Sequence, residues 1–263
     1  VIGRLSLRVA AVGYLAALVA LPLGFVFWRS FEHGLMPAWN AVTTPDALHA
    51  LRLSIEITAI AVVANTIFGV ICAMVLVRTR FRGSSLLSAL VDLPFAISPV
   101  VVGLALLLLY GRNQRLGLWL IDHGITVIFS VPGMVLATIF ISLPFVVREV
   151  APVLRELGTE QEEAAATLGA SPWQAFWRVT LPAIRPAIAY GVVLTAARSL
   201  GEFGAVSIIS GRFVGQTETL PLRVQDLFEG FDVTGAYATA VLLALLSMTT
   251  LVALRLIAAR REG

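Results

Sequence analysis

Arg198 and Glu202 stand four positions apart inside the apolar run 187–209. If that run crosses a bilayer, a lone charge near its middle costs about 2.5–3.5 kcal/mol even on the lenient insertion scale, so both side chains should face a bundle interior or a watery path. One reading is a structural i,i+4 pair, although arginine before glutamate is the weaker orientation. The other is a conducting site, with Arg198 supplying positive potential to a passing anion and Glu202 keeping it from being held too tightly. Gly201 and Gly204 flank the glutamate and are gate candidates, against simple close packing of small residues between helices. Asn65 and Asp92 intrude into other apolar runs, where helix-packing hydrogen bonds are the simpler use. Pro94, Pro99 and Gly103 break up the start of the third run, as in an irregular helix lining a cavity.

A second constellation is EEAAATLGASPWQAFWRVTLP, residues 162–182. Thr159 followed by Glu162 reads as a capping box that starts a helix through Ala164, Ala165 and Ala166, ended by Gly169. Ser171 and Pro172 begin a second helix carrying Trp173, Phe176 and Trp177 at i, i+3 and i+4, before Leu181 and Pro182 turn the chain. Two helical turns cannot bury three such rings alone. Either this protein's own membrane helices or the lipid interface cover them, or they anchor in a partner's groove.

Other chemistry is poorly provided for. All 19 basic residues are arginine, so a GxxxxGK[ST] phosphate loop and a Schiff-base lysine are both excluded. Cys72 is the single cysteine, which rules out an intrachain disulfide or a thiolate zinc cluster. His33, His49 and His123 lie in separate connections without metal-ligand spacing, and neither HExxH nor GxSxG occurs. No catalytic and no metal residues are expected. A net charge of +3 is no nucleic-acid signature.

The elements that must position these residues follow from composition. The chain is 58% hydrophobic and 13% charged with mean hydropathy +0.90, whereas a soluble domain carries about 25% charged residues. Apolar runs of about 20 residues are long enough to cross a hydrocarbon core of about 30 Å. They predict an all-α, polytopic membrane protein with about six transmembrane helices, near 9–28, 57–77, 88–110, 131–147, 187–209 and 236–257, forming one transmembrane domain over 1–263. The first run is too long for a signal peptide. Residues 116–130 are apolar but too short to span, and read as an outer-face or re-entrant helix.

With the N-terminus inside, the cytoplasmic side holds twelve arginines: Arg4, Arg8, Arg78, Arg80, Arg82, Arg148, Arg155, Arg178, Arg185, Arg255, Arg260 and Arg261. The opposite side holds six, a bias that puts both termini and the 149–185 connection in the cytoplasm.

Glu163-Ala164-Ala165, three residues, Gly169, nine residues, Val179, one residue and then Leu181-Pro182 resemble the EAA signature of the permease subunits of bacterial ABC importers, EAA-x3-G-x9-I-x-LP, with valine for isoleucine. The resemblance implies that this connection is a coupling helix, resting in a cleft of a separate ATP-binding subunit and transmitting its closure to the membrane helices. DLPFAISPVVVGLALLLLYG (92–111), SLPFVVREVAPVLRELGTEQEEAAATLGAS (142–171) and ARSLGEFGAVSIISG (197–211) resemble the sulfate and molybdate branch. TETLPLRVQDLFEGFDVTGAYATAVLL (217–243) looks like the W-type subunit of sulfate/thiosulfate importers.

What the resemblance implies is a heterodimer with a T-type permease, two ATP-binding subunits that hold ATP and Mg, and an extracytoplasmic sulfate-binding protein, all at the bacterial inner membrane. No cofactor is expected in this chain. Ser199 and Ser207 could then donate to sulfate oxygens, though serines more often bond back to their own helix. A molybdate or tungstate importer is the alternative substrate reading. A self-sufficient channel or secondary transporter would have no use for a docking helix.

Overall fold

The computed structural model describes residues 2–79 and 81–259, with side chains between 8 and 252. Arg4, Arg80, Arg255, Arg260 and Arg261, part of the orientation argument, lie outside the described residues or side chains. Five helices are long and apolar enough to cross a membrane, and a bent helix pair makes a sixth crossing if counted as one.

The chain begins with α1 (Ile2–Phe31) and the short α2 (Leu35–Val42). α3 (Pro45–Arg78) starts where the Thr44 hydroxyl accepts from Ala47 N at 3.2 Å and Pro45 has no N–H to satisfy. Asp46 in its first turn and Arg78 in its last suit the helix dipole.

The third crossing is not the single helix expected over 88–110. α4 (Ser84–Ala96) and α5 (Pro99–Tyr110) meet at a bend of 111°. Pro99 forces the break, because the residue before a proline is pushed out of the helical region, and Ile97 and Ser98 are both extended. Within 116–130, α6 (Arg115–Asp122) is a short helix followed by irregular chain, held where Phe129 N donates to Ile209 O at 2.8 Å.

α7 (Val131–Leu157) continues ten residues past the expected span end at 147 and forms the centre of the bundle, packed on α3 and α10. Arg148 is therefore inside a helix rather than at the start of a connection. Next come α8 (Glu160–Thr167), the single turn α9 (Pro172–Ala175), a π-helical turn over Phe176–Thr180, and α10 (Leu181–Leu200). Helix is unbroken from Pro172 to Leu200, 29 residues. So Leu181 and Pro182 do not turn the chain as expected. Leu181 N donates five residues back to Phe176 O, and the widened turn admits the Pro182 ring without a break.

The run 187–209 is also divided: α10 ends at Leu200 and α11 (Gly204–Ile209) follows. α12 (Leu220–Glu229) and α13 (Val233–Ala259) complete the chain.

Two apolar clusters hold the bundle. One gathers Leu53, Ile57, Met134, Ile141, Val206 and Ile209; the other gathers Val70, Val146, Val150, Leu154 and Ile184. Between them along α3 and α7 runs a buried polar layer. Asn65 Nδ2 donates to Ser142 Oγ at 2.8 Å and to Ile139 O at 3.1 Å, and Ser142 Oγ donates to Thr138 O at 2.5 Å. Asn65 is thus a helix-packing residue, as its type suggested. Beside this layer Val146 is enclosed by two glycines: a Cβ on Gly69 of α3 would lie 2.7 Å from it, and one on Gly191 of α10 3.0 Å. Residues this small let three helix backbones approach closely where hydrophobic transfer supplies no driving force.

Candidate coupling and translocation sites

The hairpin of α8 and α9 is built differently from its expected caps. Thr159 makes no side-chain cap bond to α8. Glu162, assigned to that capping box, instead accepts with Oε1 from Arg78 at 3.0 Å and from Thr180 Oγ1 at 2.7 Å. Tertiary partners outcompete the local cap because Arg78 brings a full charge, and charge-assisted bonds are about twice as strong as neutral ones. The capping box of the hairpin lies at Ser171: Ser171 N donates to Gln174 Oε1 at 2.9 Å and Gln174 N to Ser171 Oγ at 3.3 Å. Gly169 has φ +87°, the left-handed conformation its position demanded.

The three aromatics form one cluster. Trp173 stacks on Phe176 at 6.1 Å, and Trp177 meets both edge-on at 5.5 Å. Phe176 is half-buried against the second apolar cluster together with Leu181. Trp173 and Trp177 are 68% and 50% exposed, so this chain does not cover them. Glu163 and Ala164 are exposed, Ala165 is half-buried, and Leu168 protrudes. A concavity of about 310 Å³ separates α8 from α9, lined by Ala165, Leu168, Gly169, Gln174, Arg178 and Val179. Pro182, one helical turn past this region, is half-buried in the start of α10.

At the other end of the same helix, Arg198 Nη1 lies 2.6 Å from Glu202 Oε2, an ion pair by distance though not aligned as a hydrogen bond. The pair does not sit on a continuous helix, since Glu202 falls in the break between α10 and α11. Its second oxygen accepts from Ala205 N at 2.9 Å, satisfying an orphan donor of α11. Glu202 is buried and Arg198 partly exposed, so the arginine is the half of the pair that could meet an ion.

Ser199 does not face open space. It donates to Ser142 Oγ at 3.4 Å and joins the buried polar layer. Ser207 bonds back to Gly204 O at 2.9 Å. Beside Ser199 and Glu202 the space is about 10 Å³, bounded also by Ser54, Thr138 and Thr219. That is about one water, far too little for an oxyanion. Gly204 has a packing reason, since a Cβ there would lie 2.9 Å from Pro99 Cβ, whereas one on Gly201 would meet nothing closer than Ala197 O at 3.9 Å.

Asp92 pairs with Arg148 at 3.0 Å between α4 and α7. Sequence reasoning missed the buried pair of Glu218 and Arg223, 3.2 Å apart, with Arg223 also donating to Thr44 Oγ1 at 3.2 Å and Leu220 N to Ser54 Oγ at 2.9 Å. Burial pushes the Glu218 carboxyl up from its ordinary value, with Arg223 opposing. A buried glutamate in a polar stretch, TETLPL, carries no local signal; only the fold of α12 onto the start of α3 encloses it.

Residues 65–263 match the profile of the family described as "binding-protein-dependent transport system inner membrane component". A "sulfate transport system permease protein CysW" of Synechocystis sp. is 50% identical over 96% of this chain and 91% of its own length. The "sulfate transport system permease protein CysT" of Escherichia coli K12 is 40% identical over 90% of this chain and 88% of its own. Among solved structures, a "bacterial alginate ABC transporter in complex with alginate pentasaccharide-bound periplasmic protein" has a chain that superposes with TM-score 0.81 at 16% identity, over 97% of this chain and 93% of that one. The bent third crossing, the clamped hairpin and the divided fifth run are thus those of a transport subunit: this chain belongs to the family of inner-membrane components of binding-protein-dependent transport systems.

Proposed function

We infer that this chain is the membrane permease subunit of an ATP-driven importer for sulfate and thiosulfate. The CysW and CysT relatives support sulfate as the substrate class, and the higher identity to CysW supports a W-type role beside a T-type permease. Two ATP-binding subunits holding ATP and Mg, an extracytoplasmic sulfate-binding protein and the lipid of the bacterial inner membrane complete the assembly. Both termini face the cytoplasm, in keeping with the arginine bias. The chain itself carries out no covalent chemistry.

The observation that carries the reading is the uncovered aromatic pair Trp173 and Trp177 at the start of the helix whose far end holds Arg198 and Ser199. Unbroken helix between Trp173 and Arg198 spans roughly 37 Å at 1.5 Å per residue. A partner that seats the rings and moves them therefore moves the polar end as one body. Glu163, Ala164, Ala165, Gly169, Phe176, Leu181 and Pro182 shape the seat and its junction to the helix. Arg198 and Glu202, with Gly201 and Gly204 beside them and Ser199 held by Ser142, belong to the path or its gate.

The test is Trp173→Ala in the co-expressed complex. Losing a docking anchor costs about 2 kcal/mol or more. Association with the ATP-binding subunits should weaken by roughly thirtyfold, with sulfate uptake falling in parallel and this subunit's thermal stability unchanged. Unaltered association would sink the coupling assignment. Competition of molybdate against labelled sulfate at equal potency would shift the substrate reading.

A further inference from the structure

Thr219 is the N-cap of α12, a position where a threonine hydroxyl ordinarily accepts from an N–H of its own first turn. Here it makes no such bond. Ser54 of α3 caps the helix instead, accepting from Leu220 N at 2.9 Å. The Thr219 hydroxyl, on a residue only 4% exposed, is left without a hydrogen-bond partner among the described residues.

Thr219 lines the same space of about 10 Å³ as Glu202, Ser199, Ser54 and Thr138. Glu202 is also buried, and only its Oε1 is satisfied, by Ala205 N. Its Oε2 faces Arg198 Nη1 at 2.6 Å but out of line for a hydrogen bond, so this oxygen still has room for a donor. Ser54, while accepting from Leu220 N, keeps its own proton to give. Three polar groups from α3, the α10–α11 break and the start of α12 thus converge on one enclosed space.

An enclosed space of that size with about two to four polar partners is what a single water needs, and buried groups are costly when left unpaired. A sodium ion is the wrong occupant, because the Arg198 guanidinium already stands at the same carboxylate oxygen and like charges repel strongly in a buried site.

We propose that one buried water, donating to Glu202 Oε2 and sharing hydrogen bonds with the hydroxyls of Thr219 and Ser54, joins the break between α10 and α11 to α12 and α3. A water can turn and change partners, so the break can shift without stranding a buried carboxylate. A direct side-chain bond would hold only one geometry. As a joint for motion arriving along α10, the water rests on the permease reading above; as a bound water it does not.

The test is X-ray radiolysis of the assembled complex, which makes hydroxyl radicals from water where it stands. Leu200 and Val206 line the space and are 3% and 2% exposed; Leu154 and Ile184, fully buried in the other apolar cluster, are the controls. Leu200 and Val206 should be oxidised well above the controls. Thr219→Val should abolish that excess and Thr219→Ser should retain it. In liposomes Thr219→Val should lower sulfate uptake about tenfold, the weight of one buried group deprived of its bond, while the ATP-binding subunits still co-purify. Oxidation of Leu200 and Val206 no greater than that of the controls, or unmoved by Thr219→Val, would overturn the water. Loss of the excess with uptake unchanged would overturn the joint and leave the permease reading standing. A wild-type complex that shows the excess but moves no sulfate would instead overturn the permease reading, and with it the joint.

Discussion

Arg78, the last residue of α3, donates to Glu162 of α8 at 3.0 Å across 84 positions of chain, and both side chains are largely buried. With Thr180 on the same carboxylate oxygen, this one contact ties the exposed hairpin to two membrane helices. Glu162→Ala should therefore free the hairpin. Hydrogen bonds to charged groups contribute about 1.5–3 kcal/mol each, so faster amide exchange confined to residues 160–170 is expected. ATP hydrolysis per sulfate moved should rise. Unchanged exchange in α8 would show that the hairpin holds its place without this carboxylate.

Arg198→Ala should destabilise the subunit by about 3–5 kcal/mol, because it leaves the buried Glu202 carboxylate without its cation. The double variant Arg198→Ala with Glu202→Gln should recover most of that loss, since a neutral amide can still accept from Ala205 N. Sulfate uptake should remain low in both if the arginine serves the anion. Recovery of uptake together with stability would reduce the pair to structure.

The two glycines beside Glu202 should respond differently. Gly204→Ala drives a methyl to 2.9 Å from Pro99 Cβ at the contact between α11 and α5 and should cost about 1–3 kcal/mol of stability. Gly201→Ala makes only an ordinary contact, with Ala197 O at 3.9 Å, and should stay within about 0.5 kcal/mol of wild type. Thermal denaturation in detergent measures both. A loss of uptake in Gly201→Ala without a loss of stability would mark that position as a moving part.

Glu218 should give the subunit a pH dependence opposite to that of an ordinary salt-bridged carboxylate. Burial raises its folded-state value above the unfolded one, so the folded chain binds the extra proton. Stability should then fall as pH rises from the unfolded carboxylate value through the raised folded one. Glu218→Gln should remove that part of the slope, measured as unfolding temperature against pH. A slope that persists would place its origin elsewhere.

Much of this protein was legible in one dimension. Among the described residues, hydrophobic run length found the five helices long enough to span and the bent pair near 88–110, since a bilayer demands about 20 apolar residues wherever a helix spans it. The stretch from Glu163 to Pro182 was legible as a break between helices, and Gly169 and Ser171 took the turn and cap expected of them, because left-handed turns and N-caps are local matters. Charges inside apolar runs, Arg198, Glu202 and Asp92, were visible for the same reason: lipid makes them unfavourable without help.

Partners were not legible. Nothing local distinguishes Glu162 as a cap from Glu162 as a clamp on Arg78, and the clamp appears only when α3 and α8 meet. The same holds for the burial of Glu218 under α12, for Ser199 turning to Ser142 rather than to an ion, and for Val146 seated between Gly69 and Gly191. Helix existence follows from backbone and solvent, which act residue by residue. Which faces meet, and so which polar groups end up paired, buried or left open, depends on contacts between segments far apart in sequence, and those only the packed bundle decides.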